Sequence, residues 1–338
     1  MNNVWKNQPA FIMEFQKRWN KVTERYMDFG TIFSLVVILL FMCLFVSIIN
    51  PRFLMVRNLT NILVQLTGFI CLSVGMTLVI TTGGLDISVG SMMGLSAAMM
   101  GVSMSIWNLS GPAAIAIGLV VGILAGVFNG FLVVMFKVPP LIVTLGTLTA
   151  FRGLAYVITG GELLFGFPAS FRSVSASRVL GIPFTILVAI LVALWGIYYL
   201  SRTKTGRHIT AIGGNREAAR LAGIKVKTIT WSVYIISGLM AGLAAVMAVS
   251  RLDAAQPQIG SGSEIHTIAA VVLGGTLLMG GRGMMLGSIL AVVILQVMSN
   301  AMVLVGVSFF WQQVVIGLVF ILVVASRTMR SKESEIGL

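Results

Sequence analysis

Thr81-Thr82-Gly83-Gly84-Leu85-Asp86-Ile87-Ser88-Val89-Gly90-Ser91 breaks a long apolar tract with three glycines, four hydroxyls and one carboxylate. Asp86 is the only acidic residue between Asp28 and Glu162. On either side, residues 59–82 and 87–106 are apolar for long enough to cross a bilayer, which takes about 20 helical residues. A carboxylate placed between two such tracts is costly in lipid and asks for a reason. The stretch therefore sets the reading of the chain: two membrane spans joined by a polar break, with the remaining residues as the scaffold around it.

The composition agrees. Of 338 residues, 57% are hydrophobic and only 10% charged, whereas soluble domains carry about a quarter charged residues. A mean hydropathy of +1.00 belongs to a polytopic membrane protein. Thirty-seven glycines against eight prolines suit helices that approach closely in lipid. The net charge of +13 invites a nucleic-acid reading, but the Lys and Arg cluster in the N-terminal arm, one central loop and the C-terminal tail. That is the distribution that orients membrane helices, so no nucleic-acid partner is expected. Cys43 and Cys71 lie inside apolar spans and form no disulfide or metal pattern. The first 29 residues lack the short apolar core of a cleavable signal. Within them, Ile12, Phe15, Trp19, Val22 and Tyr26 alternate with bases at helical spacing, as in an amphipathic helix on the membrane surface.

Ten spans follow, at residues 30–49, 59–82, 87–106, 112–136, 141–159, 183–200, 231–250, 265–279, 284–305 and 307–325. The count drops to eight if the short, glycine-rich segments are re-entrant. The expected architecture is an all-α transmembrane bundle over 30–326, with a cytoplasmic arm (1–29), a cytoplasmic loop (201–228) and a cytoplasmic tail (327–338). With the N-terminus inside, 17 of the 23 Lys and Arg fall on the cytoplasmic side, five outside, and Arg152 within the membrane. That bias supports cytoplasmic termini. In the fourth span Gly118, Gly122, Gly126 and Gly130 recur every fourth residue, a smooth face for a neighbouring helix. Residues 160–182 read as an external loop with room for a short helix. A fainter echo links Gly83-Gly84 before Gly90-Ser91-Met92-Met93-Gly94 to Gly280-Gly281 before Gly283-Met284-Met285-Leu286-Gly287, as two related halves would.

In the central loop, Asn215 is a good N-cap and Glu217 suits a first turn. Ala218, Ala219, Leu221 and Ala222 propagate helix, and Gly223 ends it. A helix of about two turns is unstable alone in water, so it must dock on its own bundle or on a partner. No G-x-x-x-x-G-K-[ST] phosphate loop occurs anywhere in the chain, so nothing in it is built to hydrolyse ATP. His208 and His266 are isolated, and no nucleophile, base or metal grouping suggests an enzyme or a cofactor.

Four motifs in order carry a family resemblance: Thr82 through Ser91, Val143-Thr144-Leu145-Gly146-Thr147, Ala211-Ile212-Gly213-Gly214-Asn215 through Gly223, and Ile268-Ala269-Ala270-Val271-Val272-Leu273-Gly274-Gly275-Thr276 through Gly283. The chain resembles the permease subunits of ribose/galactose/xylose-type ABC sugar importers over residues 50–325. The resemblance implies a multi-pass protein of the bacterial cytoplasmic membrane, about ten helices, and a second permease subunit, identical or paralogous. It also implies two copies of an ATP-binding subunit and a periplasmic binding protein that delivers a monosaccharide. By the same resemblance Asn215, Arg216, Glu217, Ala218, Arg220, Leu221, Ala222 and Gly223 form the coupling helix that enters the ATPase. A sister importer for branched-chain amino acids is the alternative, and a proton-coupled secondary transporter acting through Asp86 a further one.

The candidate pathway residues each keep a structural reading beside the functional one. Asp86 and Ser88 could meet a hydroxyl-rich solute, or could cap the third span, for which Asp and Ser are well suited. Arg152 could snorkel to an interface or pair with Asp86. Gln65 and Asn129 could bind a sugar or a neighbouring helix.

Overall fold

The computed structural model describes the backbone of residues 10–336 and the side chains of residues 29–325. Within them lie one short 3-10 helix, Pro51–Leu54, and thirteen α-helices. They are α1 (Ala10–Ile49), α2 (Val56–Thr81), α3 (Val89–Ser105), α4 (Gly111–Met135), α5 (Pro140–Thr159), α6 (Ala169–Ala176), α7 (Phe184–Arg202), α8 (Lys204–Gly214), α9 (Arg216–Leu221), α10 (Val226–Leu252), α11 (Ser263–Leu273), α12 (Met285–Leu304) and α13 (Phe309–Ile336). Four two-residue strands make two small antiparallel pairs: β1 (Leu164–Phe165) with β4 (Ala254–Ala255), and β2 (Arg178–Val179) with β3 (Ile182–Pro183).

Seven helices are long and apolar enough to cross a membrane, and the apolar helices Val89–Ser105, Ser263–Leu273 and Phe309–Ala325 are shorter. The chain is thus a multi-pass membrane protein. Its crossings alternate between two ends. One carries the strands and the junctions at 50–55, 106–110, 160–183, 253–256 and 305–308. The other carries α8, α9 and the breaks at 82–88, 136–139 and 274–284. Counting the leg 254–273 as one crossing, the described chain passes ten times and starts and finishes at the α9 end. α11 covers only about 16 Å of that leg, so residues 254–262 dip into the bundle as irregular chain. There they meet α3, where a Cβ at Gly90 would strike the Gly260 carbonyl and a Cβ at Gly94 would crowd that of Ile259. Non-helical backbone at such depth is tolerated where protein covers it. The arm helix from Ala10 runs without a break into the first span as α1, and the side chains of its apolar stripe lie outside the described residues.

α10 is the hub, packed on α4, α2 and α3. The glycine stripe of α4 makes this possible. A Cβ at Gly122 would strike the Gly238 carbonyl, one at Gly126 the Tyr234 carbonyl and one at Gly130 the Trp231 ring, all on α10, while one at Gly118 would strike Met100 of α3. The Trp231 indole donates to the Val127 carbonyl at 3.1 Å and locks the same seam. By contrast, only 11% of the apolar window of α1 is buried, so Phe33, Phe41, Phe45 and their neighbours face lipid or another subunit.

Candidate functional site

The break after α2 is held by its own polar residues. Gly83 adopts φ +79°, a left-handed conformation that favours glycine. Asp86 is fully buried. Its Oδ1 accepts from the Ser88 amide at 3.1 Å and the Ser88 hydroxyl at 2.6 Å, and its Oδ2 accepts from the Ser237 hydroxyl of α10 at 2.9 Å. Asn129 of α4 donates to the Ser88 hydroxyl at 2.7 Å, and Thr144 of α5 donates to the Leu85 carbonyl at 3.2 Å. Asp86, Ser88 and Asn129 therefore form one cluster that ties the start of α3 to α4, α5 and α10. Both carboxylate oxygens are occupied, as a buried carboxylate requires. No side chain caps α3; Asp86 instead accepts from the Ser88 amide in the turn that precedes the helix.

Arg152 and Gln65 lie elsewhere. Neither the pairing of Arg152 with Asp86 nor its snorkelling to an interface is found. The guanidinium turns inward, donating to the Pro257 carbonyl at 2.5 Å and the Ile259 carbonyl at 2.8 Å, and so pins the dipping leg 254–262. Backbone carbonyls, which no side-chain pattern advertises, took the place of the carboxylate. Gln65 sits midway along α2, accepts from Gln296 of α12 at 2.8 Å and lines a cavity.

At the α9 end, the segment after α7 folds as two helices rather than a loop with one. Thr203 caps α8 by accepting from the Gly206 amide at 3.0 Å, and Ile209 and Ile212, three apart, are buried. Asn215 caps α9 by accepting from the Ala218 amide at 2.9 Å. Ala219 is buried with Ile212 and Val226, which docks α9 on α8 and the start of α10. The eight residues read from the sequence as coupling residues are exposed; Ala219, left out of that set, is the anchor. Arg220 grips Glu217 with Nε at 3.0 Å and Nη2 at 2.5 Å. This holds the Glu217 carboxyl below the usual carboxylate range. Leu221 projects with 74% of its surface exposed.

α8 also touches the polar break. A Cβ at Gly213 would collide with the Thr81 carbonyl and crowd the Gly281 amide, and one at Gly280 would lie 2.6 Å from the Gly83 amide. The Gly281 amide donates to the Thr81 carbonyl at 3.0 Å. The two glycine pairs that echo each other in sequence thus meet in space, with α8 pressed against both. Backbone contacts thus join α8, which leads into α9, to the end of α2.

A family described as branched-chain amino acid transport system, permease component, matches residues 58–324. The ribose import permease protein of Bacillus subtilis is 40% identical over 91% of this chain and 95% of its own length. That of Escherichia coli is 39% identical over 86% and 91%. The autoinducer 2 import system permease protein of Salmonella typhi is 35% identical over 84% and 82%. No solved structure gives a significant match.

Proposed function

The chain belongs to the branched-chain amino acid transport system permease-component family, and from that premise we propose that it is the membrane-spanning subunit of an ATP-driven importer of a simple sugar. A separate ATPase would supply the energy and a binding protein the solute, in the cytoplasmic membrane of a bacterium, with the α9 end inside. The observation that carries this reading is α9 itself. It is a capped helix, anchored through Ala219, that presents charged and apolar side chains outward while its neighbour α8 presses on the break between α2 and α3. Such an element is suited to receive a partner and pass its motion to the bundle.

The ribose import and autoinducer 2 import permeases at 35–40% identity favour a sugar-like solute over a branched-chain amino acid. The chain has the role of a conduit and not of an enzyme. Its permease partner would be a second copy or a paralogue, and the ATPase would be present twice. The charges support the orientation. Lys137, Arg202, Lys204, Arg207, Arg216, Arg220, Lys225, Lys227 and Arg282 sit at the α9 end, against Arg52, Arg57, Arg172, Arg178 and Arg251 at the strand end. Uptake by the reconstituted complex of permease, ATPase and binding protein tests the reading. Competition by D-ribose and related sugars, with L-leucine inert, is expected; competition by leucine alone would transfer the chain to the amino-acid branch.

A further inference from the structure

Arg152 and Glu264 are charged side chains within the bundle that have no counter-ion in contact among the described residues. Arg152 of α5 bonds only neutral groups, the Pro257 and Ile259 carbonyls, and one nitrogen, Nη1, carries both bonds. Glu264, in the first turn of α11, spends Oε1 on the Gly262 amide at 3.3 Å, and its Oε2 is buried without a hydrogen-bond partner. The two groups do not touch, yet each lies within the other's electrostatic reach. Both rest on the same face of α3. A Cβ at Gly94 would lie 2.6 Å from Arg152 Nη1, and one at Gly90 would strike Glu264 Oε2. Four residues of helix put those two points about 6 Å apart. Main chain of the dipping leg fills the space between them: the Ile259 carbonyl crowds Gly94 and the Gly260 carbonyl crowds Gly90. Gly260 and Gly262, at φ +80° and +78°, form the turn that joins the leg to α11.

We infer that Arg152 and Glu264 are positioning residues for transport, the two halves of an ion pair that forms when the leg 254–262 lifts off α3. With the leg seated, its carbonyls hold the guanidinium, and the carboxylate faces Gly90 with nothing to neutralise it. A charge left unpaired inside a protein is costly. The seated leg is therefore held by the two bonds of Arg152 and opposed by the carboxylate. Withdrawal of the leg removes the carbonyls and clears the gap over Gly90 and Gly94. Guanidinium and carboxylate can then close on each other as a charge-assisted pair. Each position of the leg gives the cation a different partner, which is the property of a two-state element rather than of a fixed brace. The exchange opens or seals the bundle at the strand end, to which the leg is attached through β4. Its role in transport rests on the importer reading; the exchange of partners does not.

The test is hydrogen exchange of the segment 254–262, read by mass spectrometry in the purified complete transporter, with sugar uptake measured in proteoliposomes. Glu264→Gln keeps the size of the side chain and its bond to the Gly262 amide but removes the charge, so the protein should fold. With no ion pair to gain, the leg should stay seated. Exchange in 254–262 should slow about tenfold and uptake should fall by a similar factor, with exchange in α4 unchanged. Arg152→Gln unpins the leg and removes the pair together, so alone it should alter exchange by less than about threefold. In the Glu264→Gln background no pair is left to lose, and the same substitution should accelerate exchange about tenfold. A fixed brace carries no such coupling and gives equal acceleration in both backgrounds. That result, or faster exchange in Glu264→Gln alone, overturns the inference. A parent that takes up no sugar while the coupling holds overturns the importer reading and leaves the exchange of partners standing.

Discussion

Asp86, fully buried, and Gly213, half-buried, define what single residues do here. Asp86 has three hydrogen bonds from Ser88 and Ser237. In Asp86→Asn the Ser237 hydroxyl must turn to accept and all three bonds lose their charge assistance, at a cost of about 1–3 kcal/mol. A lower unfolding temperature in detergent is expected, with uptake per folded molecule retained. Loss of uptake with unchanged stability would instead mark Asp86 as a transport residue. Gly213 is the second case, because its backbone leaves no room for a side chain against Thr81. Gly213→Val should therefore sharply lower the amount of folded protein, measured by monodisperse recovery in detergent; full recovery with normal uptake would show that this contact can yield. Asp86 was visible in the sequence because a charge in an apolar tract stands out. The partners of Arg152 were not, since they are main-chain carbonyls more than a hundred residues away.

Among the elements, α9 carries the sharpest expectation. Its Glu217–Arg220 pair is fully exposed, so breaking it should leave the bundle folded. Glu217→Arg is expected to cut uptake about tenfold or more, with ATP hydrolysis retained. Equal uptake in variant and parent would remove α9 from the coupling path. The depressed pKa of Glu217 means that its contribution is present above the ordinary carboxylate range. It is lost only as pH falls through the depressed value, so coupling should be flat across neutral pH. The long apolar helices were legible because each fills a span. α8 was not, being eleven residues long and flanked by bases, although Thr203 and the Ile209–Ile212 spacing were available signals. α11 read as a weak span because it is half of one.

For the whole molecule, ten passes put α9 and the strands at opposite ends, and the proposed orientation, with α9 in the cytoplasm, rests on the charge bias. Cysteines introduced at Ala218 and Arg172 should label from the cytoplasmic and outer sides of intact cells respectively; the reverse pattern would invert the topology. Packing of α4 on α10 through glycine should make Gly122→Leu fail to accumulate as folded protein, because overpacking at a backbone-to-backbone contact leaves no room to relax. The central claim is that movement through this bundle is driven by a separate ATPase acting at α9. The most direct measurement is sugar uptake and ATP hydrolysis recorded together in the same proteoliposomes, with and without an imposed proton gradient. Uptake that requires the ATPase, the binding protein and hydrolysable ATP, and ignores the gradient, is the predicted result. Uptake by this chain alone, driven by the gradient without ATP, would contradict it.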